Sequence, residues 1–528
     1  GRNMEIMVNM MREISLQYVD EVKPDQLMSD GAQGMVRNLD PYTSYLSEEE
    51  MSDFEFKATG KYGGIGATIR MRRDSSGVVI AQPYKGSPSD KAGLKIGDRF
   101  LKIDGEDVTK CTSAEISSKL KGTPGTVVKL EVERLMTGKA EQMEITRARI
   151  AVPGVPYAEF LEDGIVYIRH IDFSDGCYDD MRAAVERLRS EGQIKGLILD
   201  YRDNGGGSVP EAVKILSMFL PKGTEVLTMK GRTEQSKKSF TTELQPVLGD
   251  VPMVALIDEA SASASEIVCG ALQDMDRAVL MGQRSFGKGL VQSQIPYNDG
   301  SALRLTVARY YTPTGRSIQK PYKNGDGQDY NMDIVRRYQN NEFFSADSIH
   351  FADSLRFTTP KGKTVYGGGG IMPDVFVPLD TTHVTKYYVE VSGRNILYRY
   401  TIEYADKYRE ALNKITTLAE LDSLFAADKT LFTDFVNYAS KQGVRPNPKE
   451  VAKSREVIEA QLKAYIGRNT VLEDNAFYYN IFPIDNVVHK ALEIISAEPL
   501  VTTDVQTAEG AYEVAAAAVA DVKPAEQQ

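Results

Sequence analysis

A serine cluster and a lysine 25 residues beyond it are the parts of this 528-residue chain whose types and spacing could do chemistry. Ser263 lies where the strand-like segment PMVALID meets the helix-like segment EIVCGALQ, and Lys288 lies in the glycine frame SFGKGLVQ. A serine hydroxyl is a poor nucleophile until a neighbouring base takes its proton, and a neutral lysine amine can be that base. The spacing therefore indicates a hydrolytic Ser–Lys pair.

Both residues also have plainer interpretations. Ser261, Ser263 and Ser265 could simply cap the following helix, because serine is a favoured N-cap residue, and Lys288 could be an ordinary surface lysine. A lysine with the reference pKa of ~10.4 is neutral at pH 7 only at a cost of about 4.6 kcal/mol. Burial must therefore lower its pKa, and the apolar neighbours in SFGKGLVQ favour such burial.

Two further elements could assist this pair. Gln292, four residues past Lys288, could hold the lysine amine by a hydrogen bond. The segment LDYRDNGGGSVPEA runs from a buried strand through three glycines into a helix, which lets backbone N–H groups face a substrate. We expect an oxyanion hole built from the N–H of Gly207, with Gly206 next best, and that of Ala264. A phosphate-binding loop is the rival, but no GK[ST] follows the glycines.

A histidine triad is the rival to the lysine base. The chain has four histidines: His170, His350, His383 and His489. None shares a motif with Ser263, and His170, at the end of a buried-looking strand, is the strongest of the four. Asp274, eleven residues after Ser263, is expected to have a structural role.

Composition changes along the chain predict four regions, at 1–56, 57–148, 149–380 and 381–528. The first is helical, with methionines at helical spacing. The second has short glycine-broken strands and one helix. The third alternates buried strands with amphipathic helices, which indicates an α/β layer on a mostly parallel sheet. The fourth is mainly helical and ends in a tail of about 25 residues that we expect to be weakly ordered.

The second region contains a glycine loop that could bind peptide. Gly63, Gly64, Ile65 and Gly66 could form a backbone nest for a peptide's terminal carboxylate. An edge strand beside this loop and a helix over residues 113–120 would then form a groove for the rest of the peptide. A plain β-turn is the alternative.

Several motifs, in a fixed order, resemble one protein family. YGGIGATI with SPSDKAGLKIGDRFLKIDGEDV looks like a PDZ domain; with LDPYTSYLS, LILDYRDNGGG, SASASEIVCGALQD and SFGKGLVQ it resembles the carboxyl-terminal processing peptidases, or tail-specific proteases. YTPTGRSIQ and GGGGIMPDV resemble late parts of the same catalytic domain. The resemblance spans roughly residues 35–380. It implies that Ser263 is the nucleophile, Lys288 the general base and Gln292 its positioning residue, with oxyanion donors at Gly207 and Ala264.

The resemblance also implies a fold and a function. The fold is α/β: a crotonase-like α/β protease core with an inserted PDZ domain, here with an N-terminal helical segment and a C-terminal mainly helical extension. The implied activity is serine endoproteolysis, through an acyl-enzyme, of proteins with exposed C-terminal tails, in the periplasm or another exported compartment. No metal or organic cofactor is expected. The region beyond about residue 380 departs from the family, and we expect any homo-oligomer to form through it.

Bulk properties exclude some partners and leave two rival functions. The net charge of −11 and the lack of a basic patch argue against nucleic acid. The three cysteines show neither metal-ligand spacing nor a disulfide framework. No apolar run is long enough for a membrane span. The chain shows no signal peptide, as expected if a leader has been removed. The rivals are an inactive PDZ-bearing scaffold and an acyl-CoA-handling crotonase relative.

Overall fold

The computed structural model describes residues 1–48, 50–51, 61–71, 77–84, 86–135, 137–151, 153–162 and 164–497. The chain forms two compact units. The smaller comprises Ser52–Pro153; the larger comprises the residues up to Met51 and those from Gly154 onward. The smaller unit is thus inserted, in sequence, into the larger one. The finer four-region division stays a prediction.

The elements of the larger unit before the insertion include α1 (Arg2–Gln17), α2 (Pro24–Val36) and β1 (Ser44–Leu46). Pro24 opens α2, where its missing N–H is no loss. β1 lies inside the LDPYTSYLS segment and pairs antiparallel with a later strand.

Over its described residues, the smaller unit is a β-rich module with two helices. Its elements are β2 (Lys61–Gly64), β3 (Ala67–Met71), β4 (Val78–Pro83), α3 (Pro88–Lys91), β5 (Arg99–Ile103), β6 (Glu106–Asp107), α4 (Ser113–Leu120), β7 (Val127–Glu133), β8 (Ala140–Thr146) and β9 (Ala148–Ala151). The main sheet has the order β3-β4-β5-β7-β8, so β3 is an edge strand among the described residues. The helix predicted over residues 113–120 is α4, and it begins with a capping box in which Thr112 and Glu115 are bonded reciprocally.

The strands of the larger unit after Gly154 are β10 (Tyr157–Glu162), β11 (Ile165–Arg169), β12 (Gly196–Asp200), β13 (Glu225–Gly231), β14 (Lys238–Thr241), β15 (Met253–Ile257), β16 (Val279–Gly282), β17 (Leu290–Pro296), β18 (Ala302–Tyr311), β19 (Arg356–Thr358), β20 (Thr364–Tyr366) and β21 (Val375–Phe376). One sheet has the order β10-β11-β12-β15-β16-β21, and all its pairs except β10–β11 are parallel. The predicted mostly parallel sheet is confirmed. A second, antiparallel sheet joins β1, β18, β13 and β14, with β17 also paired to β18.

The helices of this unit fall into two groups. Those within the α/β part are α5 (Cys177–Glu191), α6 (Val209–Leu216), α7 (Ala264–Asp274), α8 (Gly327–Asn331) and α9 (Asp333–Gln339). Those of the C-terminal region are α10 (Lys386–Gly393), α11 (Ile396–Lys407), α12 (Arg409–Leu412), α13 (Leu418–Ala427), α14 (Leu431–Lys441), α15 (Pro448–Lys453), α16 (Arg455–Gly467), α17 (Asp474–Ile481) and α18 (Asn486–Ser496). Short 3-10 turns lie at Glu234–Ser236, Ala346–Ser348, Asp353–Leu355 and Phe482–Ile484. The mainly helical C-terminal region is confirmed over the described residues.

The parallel sheet is covered on both faces. Alternate side chains of its strands, such as Leu197 and Leu199, pack with α5, α6 and α7 in the largest core cluster. The intervening side chains, such as Ile198, pack on the opposite face with α18. Burial on both faces explains why these strands are continuously apolar. None of the described helices is long and apolar enough to cross a membrane.

A buried ion pair ties α7 to the YTPTGRSIQ segment. Asp274 at the end of α7 pairs with Arg316 at 2.7 Å, and both side chains are fully buried. The Asp274 carboxylate also accepts hydrogen bonds from the Thr314 backbone N–H at 3.0 Å and from the Thr312 hydroxyl. The structural role predicted for Asp274 is confirmed.

Candidate active site

Ser263 differs from the two serines that flank it. The Ser261 hydroxyl donates to the Tyr201 carbonyl, and the Ser265 hydroxyl donates to the Asn204 carbonyl, each at 2.8 Å. Ser263, between β15 and α7, is partly exposed and has φ 56° and ψ −112°. Such a backbone costs a non-glycine residue about 1–3 kcal/mol and persists where the surroundings impose it. The hydroxyls of Ser261 and Ser265 are thus used in hydrogen bonds that hold the turn, and Ser263 is the partly exposed serine between them.

The buried Glu266 carboxylate connects the serine turn to the lysine loop. Its Oε2 accepts the backbone N–H of Ser263 at 2.9 Å and that of Lys288 at 2.8 Å. Its Oε1 accepts the Gly287 N–H at 2.7 Å and the Ser285 hydroxyl at 2.5 Å. Because one oxygen accepts both N–H groups, the Ser263 and Lys288 nitrogens can be no further apart than the sum of those two distances. The structure therefore brings the two predicted residues together at the backbone.

Glu266 was missed by the sequence analysis. It is 1% exposed. Burial raises its pKa, and the hydrogen bonds from Ser285, Lys288, Gly287 and Ser263 oppose that shift. Four donors around one carboxyl group favour its ionised form. The signal was present, because Ser263 to Glu266 is an S-x-x-E capping-box pattern.

The Lys288 side chain lies in a largely desolvated position. Burial, and secondly the positive charge of Arg304, lower the pKa of Lys288 to about 8, against an opposing effect of Glu266. Its Nζ lies 4.6 Å from the centre of the Tyr42 ring. The pKa of Lys288 is therefore lowered, as a lysine base requires. The Tyr42 ring, from the LDPYTSYLS segment, covers part of the lysine side chain.

Tyr42 is held by a second tyrosine. Its hydroxyl lies 2.7 Å from that of Tyr330, and the two rings meet edge to face. Burial raises the pKa of Tyr42 well above its ordinary value, so its hydroxyl stays neutral. Tyr330 also stacks under Lys320, whose Nζ lies 4.2 Å from the ring centre. These two tyrosine rings thus lie between the partly buried Lys288 and the buried Lys320.

Gln292 lies on β17, close in sequence to Lys288 but bonded elsewhere. Its amide donates to the Thr306 hydroxyl at 3.1 Å and accepts from Arg304 at 3.5 Å. The Thr306 hydroxyl in turn donates to Asp40 at 2.9 Å. A direct hydrogen bond from Gln292 to the Lys288 amine stays a prediction; these contacts connect Gln292 instead to Arg304 and to the LDPYTSYLS segment.

The glycine loop, which we define as Asn204–Gly207, lies directly against Ser263. A Cβ placed on Gly206 would come within 2.5 Å of the Ala262 carbonyl oxygen, 2.6 Å of the Ala264 nitrogen and 2.8 Å of the Ser263 Cβ. Gly206 also has φ +92°, which side chains rarely tolerate. Glycine is therefore required at this position for the loop and the serine turn to touch.

Hydrogen bonding distinguishes the two candidate donors in this loop. The Gly206 N–H donates to the Asn204 side chain at 2.9 Å, so it is already used. Gly207 bridges to Phe173 through its neighbours, and its own N–H has no acceptor among the residues that the structure describes. The same holds, within those residues, for the N–H of Ala264, the first residue of α7. These two N–H groups are the ones predicted as oxyanion donors.

His170 has the surroundings of a core residue. It is fully buried, with its ring packed edge-on against Phe173 and Tyr201. Burial, and secondly Arg169, lower its pKa to about 3. Within the described part of the chain, neither ring nitrogen has a hydrogen-bond partner. A neutral ring without a carboxylate or serine partner does not form a triad.

The predicted peptide-binding loop of the smaller unit has two backbone N–H groups that are available to a ligand. The Ile65 carbonyl accepts from the Ser89 N–H at 2.8 Å, and the Gly66 carbonyl accepts from the Ser89 hydroxyl at 2.6 Å. The N–H groups of Ile65 and Gly66 have no acceptor within the described ranges. The loop leads into the edge strand β3, which contacts α4. The predicted groove elements are thus neighbours, with Gly63 and Gly64 in β2.

The chain matches three family models. Residues 164–329 match peptidase family S41, and residues 54–133 match the PDZ domain. Residues 387–471 match a family of unknown function (DUF8443). The first match contains the serine turn, the lysine loop and the glycine loop.

Curated relatives match somewhat more than half of this chain. A carboxy-terminal-processing protease of Bartonella bacilliformis is 36% identical over 314 residues, which cover 59% of this chain and 71% of that protein. The carboxy-terminal processing protease CtpA of Bacillus subtilis is 33% identical over 58% of this chain and 65% of its own length. Among solved structures, a photosystem II D1 C-terminal processing protease is 28% identical, covers 58% of this chain and 83% of that chain, and has a TM-score of 0.34.

Replacing Glu266 by glutamine tests the carboxylate bridge. A glutamine has one acceptor oxygen and one NH₂ donor, so either orientation points a donor at backbone N–H groups. We expect peptide turnover to fall on the order of 10²-fold, since small displacements of reacting groups have that effect. Unfolding in urea should show a loss of about 1–3 kcal/mol.

Glu186→Gln is the matched control, because Glu186 pairs with Arg182 on the exposed side of α5. It should change stability by less than about 1 kcal/mol and leave turnover alone. Wild-type turnover in Glu266→Gln would show that the bridge does not hold the site.

Proposed function

This chain belongs to the carboxy-terminal processing proteases, a family of serine-type peptidases, and on that premise we propose that Ser263 is its nucleophile and Lys288 its general base. The observation that carries the proposal is the Glu266 carboxylate oxygen shared by the two backbone N–H groups. A base held beside a strained serine, on a separate loop, is the arrangement that nucleophilic catalysis requires.

The proposed reaction proceeds in two halves. Neutral Lys288 takes the proton from the Ser263 hydroxyl as Oγ attacks the substrate carbonyl carbon, forming a tetrahedral intermediate. The C–N bond then breaks, the lysine ammonium gives its proton to the leaving amine, and an acyl-enzyme remains. In the second half Lys288 takes a proton from water, the resulting hydroxide attacks the ester, and Ser263 leaves with that proton.

The lowered pKa of Lys288 makes this base usable. With a pKa of about 8, roughly one molecule in ten carries the neutral amine at pH 7, and the free-energy cost is about 1.4 kcal/mol. The unperturbed cost would be about three times larger. Burial against Tyr42 and the charge of Arg304 support this part of the proposal.

The developing oxyanion would be bound by the N–H groups of Gly207 and Ala264. Open N–H groups at the start of α7 and in the glycine loop support this assignment, because such donors stabilise charge as it forms. The use of the Gly206 N–H by Asn204 favours Gly207 over Gly206. We assign Gln292 a positioning role through Arg304, whose charge is one cause of the low Lys288 pKa.

The PDZ domain is proposed to select protein or peptide substrates by their exposed C-termini. The open N–H groups of Ile65 and Gly66 suit a terminal carboxylate, and the edge strand β3 could pair with the residues before it. The Gly63–Gly66 loop thus gives specificity for chain ends, while cleavage occurs at an internal peptide bond.

Finer features of the sequence interpretation remain proposals. A crotonase-like core is supported by the parallel sheet with helices on both faces. The exported location, the absence of a cofactor and a homo-oligomer through the C-terminal extension rest on the sequence and its resemblance alone.

The dyad is tested by removing each member separately. Ser263→Ala and Lys288→Ala should each lower cleavage of a tailed protein substrate by at least about 10³-fold, because the two groups act as a unit. The exposed Ser239→Ala and Lys222→Ala are matched controls and should keep wild-type turnover. If the wild-type chain binds the tailed substrate without cleaving it, the inactive scaffold is favoured. If calorimetry shows that the chain binds CoA, the crotonase relative is favoured.

The pH dependence of kcat/KM tests Lys288 as the base. The lysine must lose its proton to act, so kcat/KM should rise about tenfold per pH unit below its pKa and level off above about 8. Among the described residues, Arg304, Glu266 and Tyr42 interact with Lys288. Arg304→Gln removes the nearby positive charge and should move the rising limb to higher pH. A flat profile between pH 6 and pH 10 would contradict a lysine base.

Amidation of the substrate's terminal carboxylate tests recognition of chain ends. We expect KM for a tailed substrate to rise about tenfold or more, since charge-assisted hydrogen bonds contribute about 1.5–3 kcal/mol each. Acetylation of the substrate's N-terminus is the control and should have little effect. Equal processing of free and amidated substrates would exclude the carboxylate nest.

A further inference from the structure

The last described helix, α18, completes the core of the protease sheet. Val488 and Ala491 on α18 are fully buried, and they pack with Ile198, Val254 and Leu256 from two parallel strands, β12 and β15. The sheet face beneath α18 is opposite to the face covered by α5, α6 and α7. The C-terminal region, which departs from the family in sequence, therefore supplies one layer of the catalytic fold.

An ion pair joins the start of α18 to the end of β12. Arg202 donates from both terminal nitrogens to Asp485, at 3.1 Å and 2.8 Å. Asp485 also accepts the N–H groups of Val487 and Val488, each at 3.1 Å, and so caps α18. A two-point contact of this kind fixes the orientation of the guanidinium as well as its position.

The same arginine forms an ion pair with a buried carboxylate on β12. Arg202 donates to Asp200 from Nε at 3.0 Å and from Nη2 at 2.6 Å. Asp200 has further donors in Arg169, at 2.8 Å, and in the Tyr167 hydroxyl, at 2.5 Å. Asp200 thus accepts hydrogen bonds from three side chains, whereas both terminal nitrogens of Arg202 donate to Asp485.

From Arg202 the chain runs directly into the glycine loop. The next residue, Asp203, has a left-handed backbone with φ 57°, and its N–H donates to both oxygens of Asp258 at 3.0 Å. Asp258 also accepts the N–H of Ser261 at 2.9 Å, within the serine turn. Asn204 follows and touches the same turn, because its carbonyl accepts the Ala262 N–H at 3.0 Å. The corner at Arg202 is therefore continuous with the loop that faces Ser263.

We propose that Asp485 is a positioning residue for the protease site: by holding Arg202, it fixes the corner from which the glycine loop approaches Ser263. The proposal rests on the proposed function, since the loop is assigned there as an oxyanion donor. Through Asp485, the C-terminal region would contribute to turnover as well as cover one face of the sheet. Asp485 touches no substrate and acts through Arg202.

Two substitutions separate the ion pair from the helix cap. Asp485→Asn and Asp485→Ser both keep a favoured N-cap residue for α18. Asparagine lacks the charge that pairs with Arg202. Serine lacks that charge, and its side chain is also too short to contact Arg202. We expect kcat to fall about tenfold in Asp485→Ser and less in Asp485→Asn, below the ~10²-fold that a 1 Å misplacement can cause. KM should stay within about twofold, because substrate recognition is assigned elsewhere.

Asp474→Asn is the matched control. Asp474 lies at the start of α17 in the same C-terminal region and pairs with Arg468 at 2.5 Å. That pair does not involve Arg202 or the glycine loop. The control should keep wild-type kcat, and all variants should keep the wild-type melting temperature within a few degrees. An equal fall in kcat for Asp474→Asn would reduce the role of Asp485 to general stability and overturn the proposal.

Hydrogen–deuterium exchange gives a readout that does not need activity. Amides of Asp203–Gly207 should exchange faster in Asp485→Ser than in the wild type, while those of α5 should not change. Unchanged exchange together with unchanged kcat would overturn the positioning role. If the wild-type chain cleaves nothing, the proposed function fails, and exchange still decides whether Asp485 holds the loop.

Discussion

One buried carboxylate determines the geometry on which the site depends. Glu266 accepts four hydrogen bonds, and within the described residues it has no ion-pair partner. Removing a carboxylate from water costs several kcal/mol unless its lone pairs are satisfied. The serine turn and the lysine loop satisfy them, so the folded chain must bring the two together to bury this charge. The requirement that stabilises Glu266 is the same one that places Ser263 beside Lys288.

The site also needs a lysine that is buried without a carboxylate of its own. Lys320 offers a comparison in the same structure: it is buried against Tyr330 and Phe286 but has Asp333 at 3.2 Å. Lys288 faces the Tyr42 ring, and the described ranges contain no carboxylate in ion-pair contact with it. Desolvation favours the neutral amine, whereas an adjacent carboxylate favours the charged form. The Glu266 oxygens are occupied by backbone N–H groups, which limits their pull on the lysine proton.

The sequence predicted the fold class and the local motifs better than the contacts between distant segments. The parallel strands, the helix after Ser263 and the glycine loop each have a local pattern of periodicity, capping or glycine. Glu266 also had one, in S-x-x-E, but the pattern predicted a cap and not a bridge. Tyr42 and Thr306 had no such signal, since their partners, Tyr330 and Asp40, lie far from them in the chain. For Gln292, proximity in sequence predicted a contact with Lys288, while its strand directs it towards Thr306.

The C-terminal layer shows where sequence reasoning ends for a physical reason. A continuously apolar strand such as β12 implies that something covers each face of the sheet. The identity of the cover is not encoded locally, because an apolar stripe such as that of α18 would fit many surfaces. Asp485 resolves the choice by giving Arg202 a second carboxylate, since its other partner, Asp200, is shared with a second arginine. Docking of α18 thus completes the pairing of Arg202, the residue from which the chain enters the glycine loop. The catalytic core of this chain therefore extends to its last described helix.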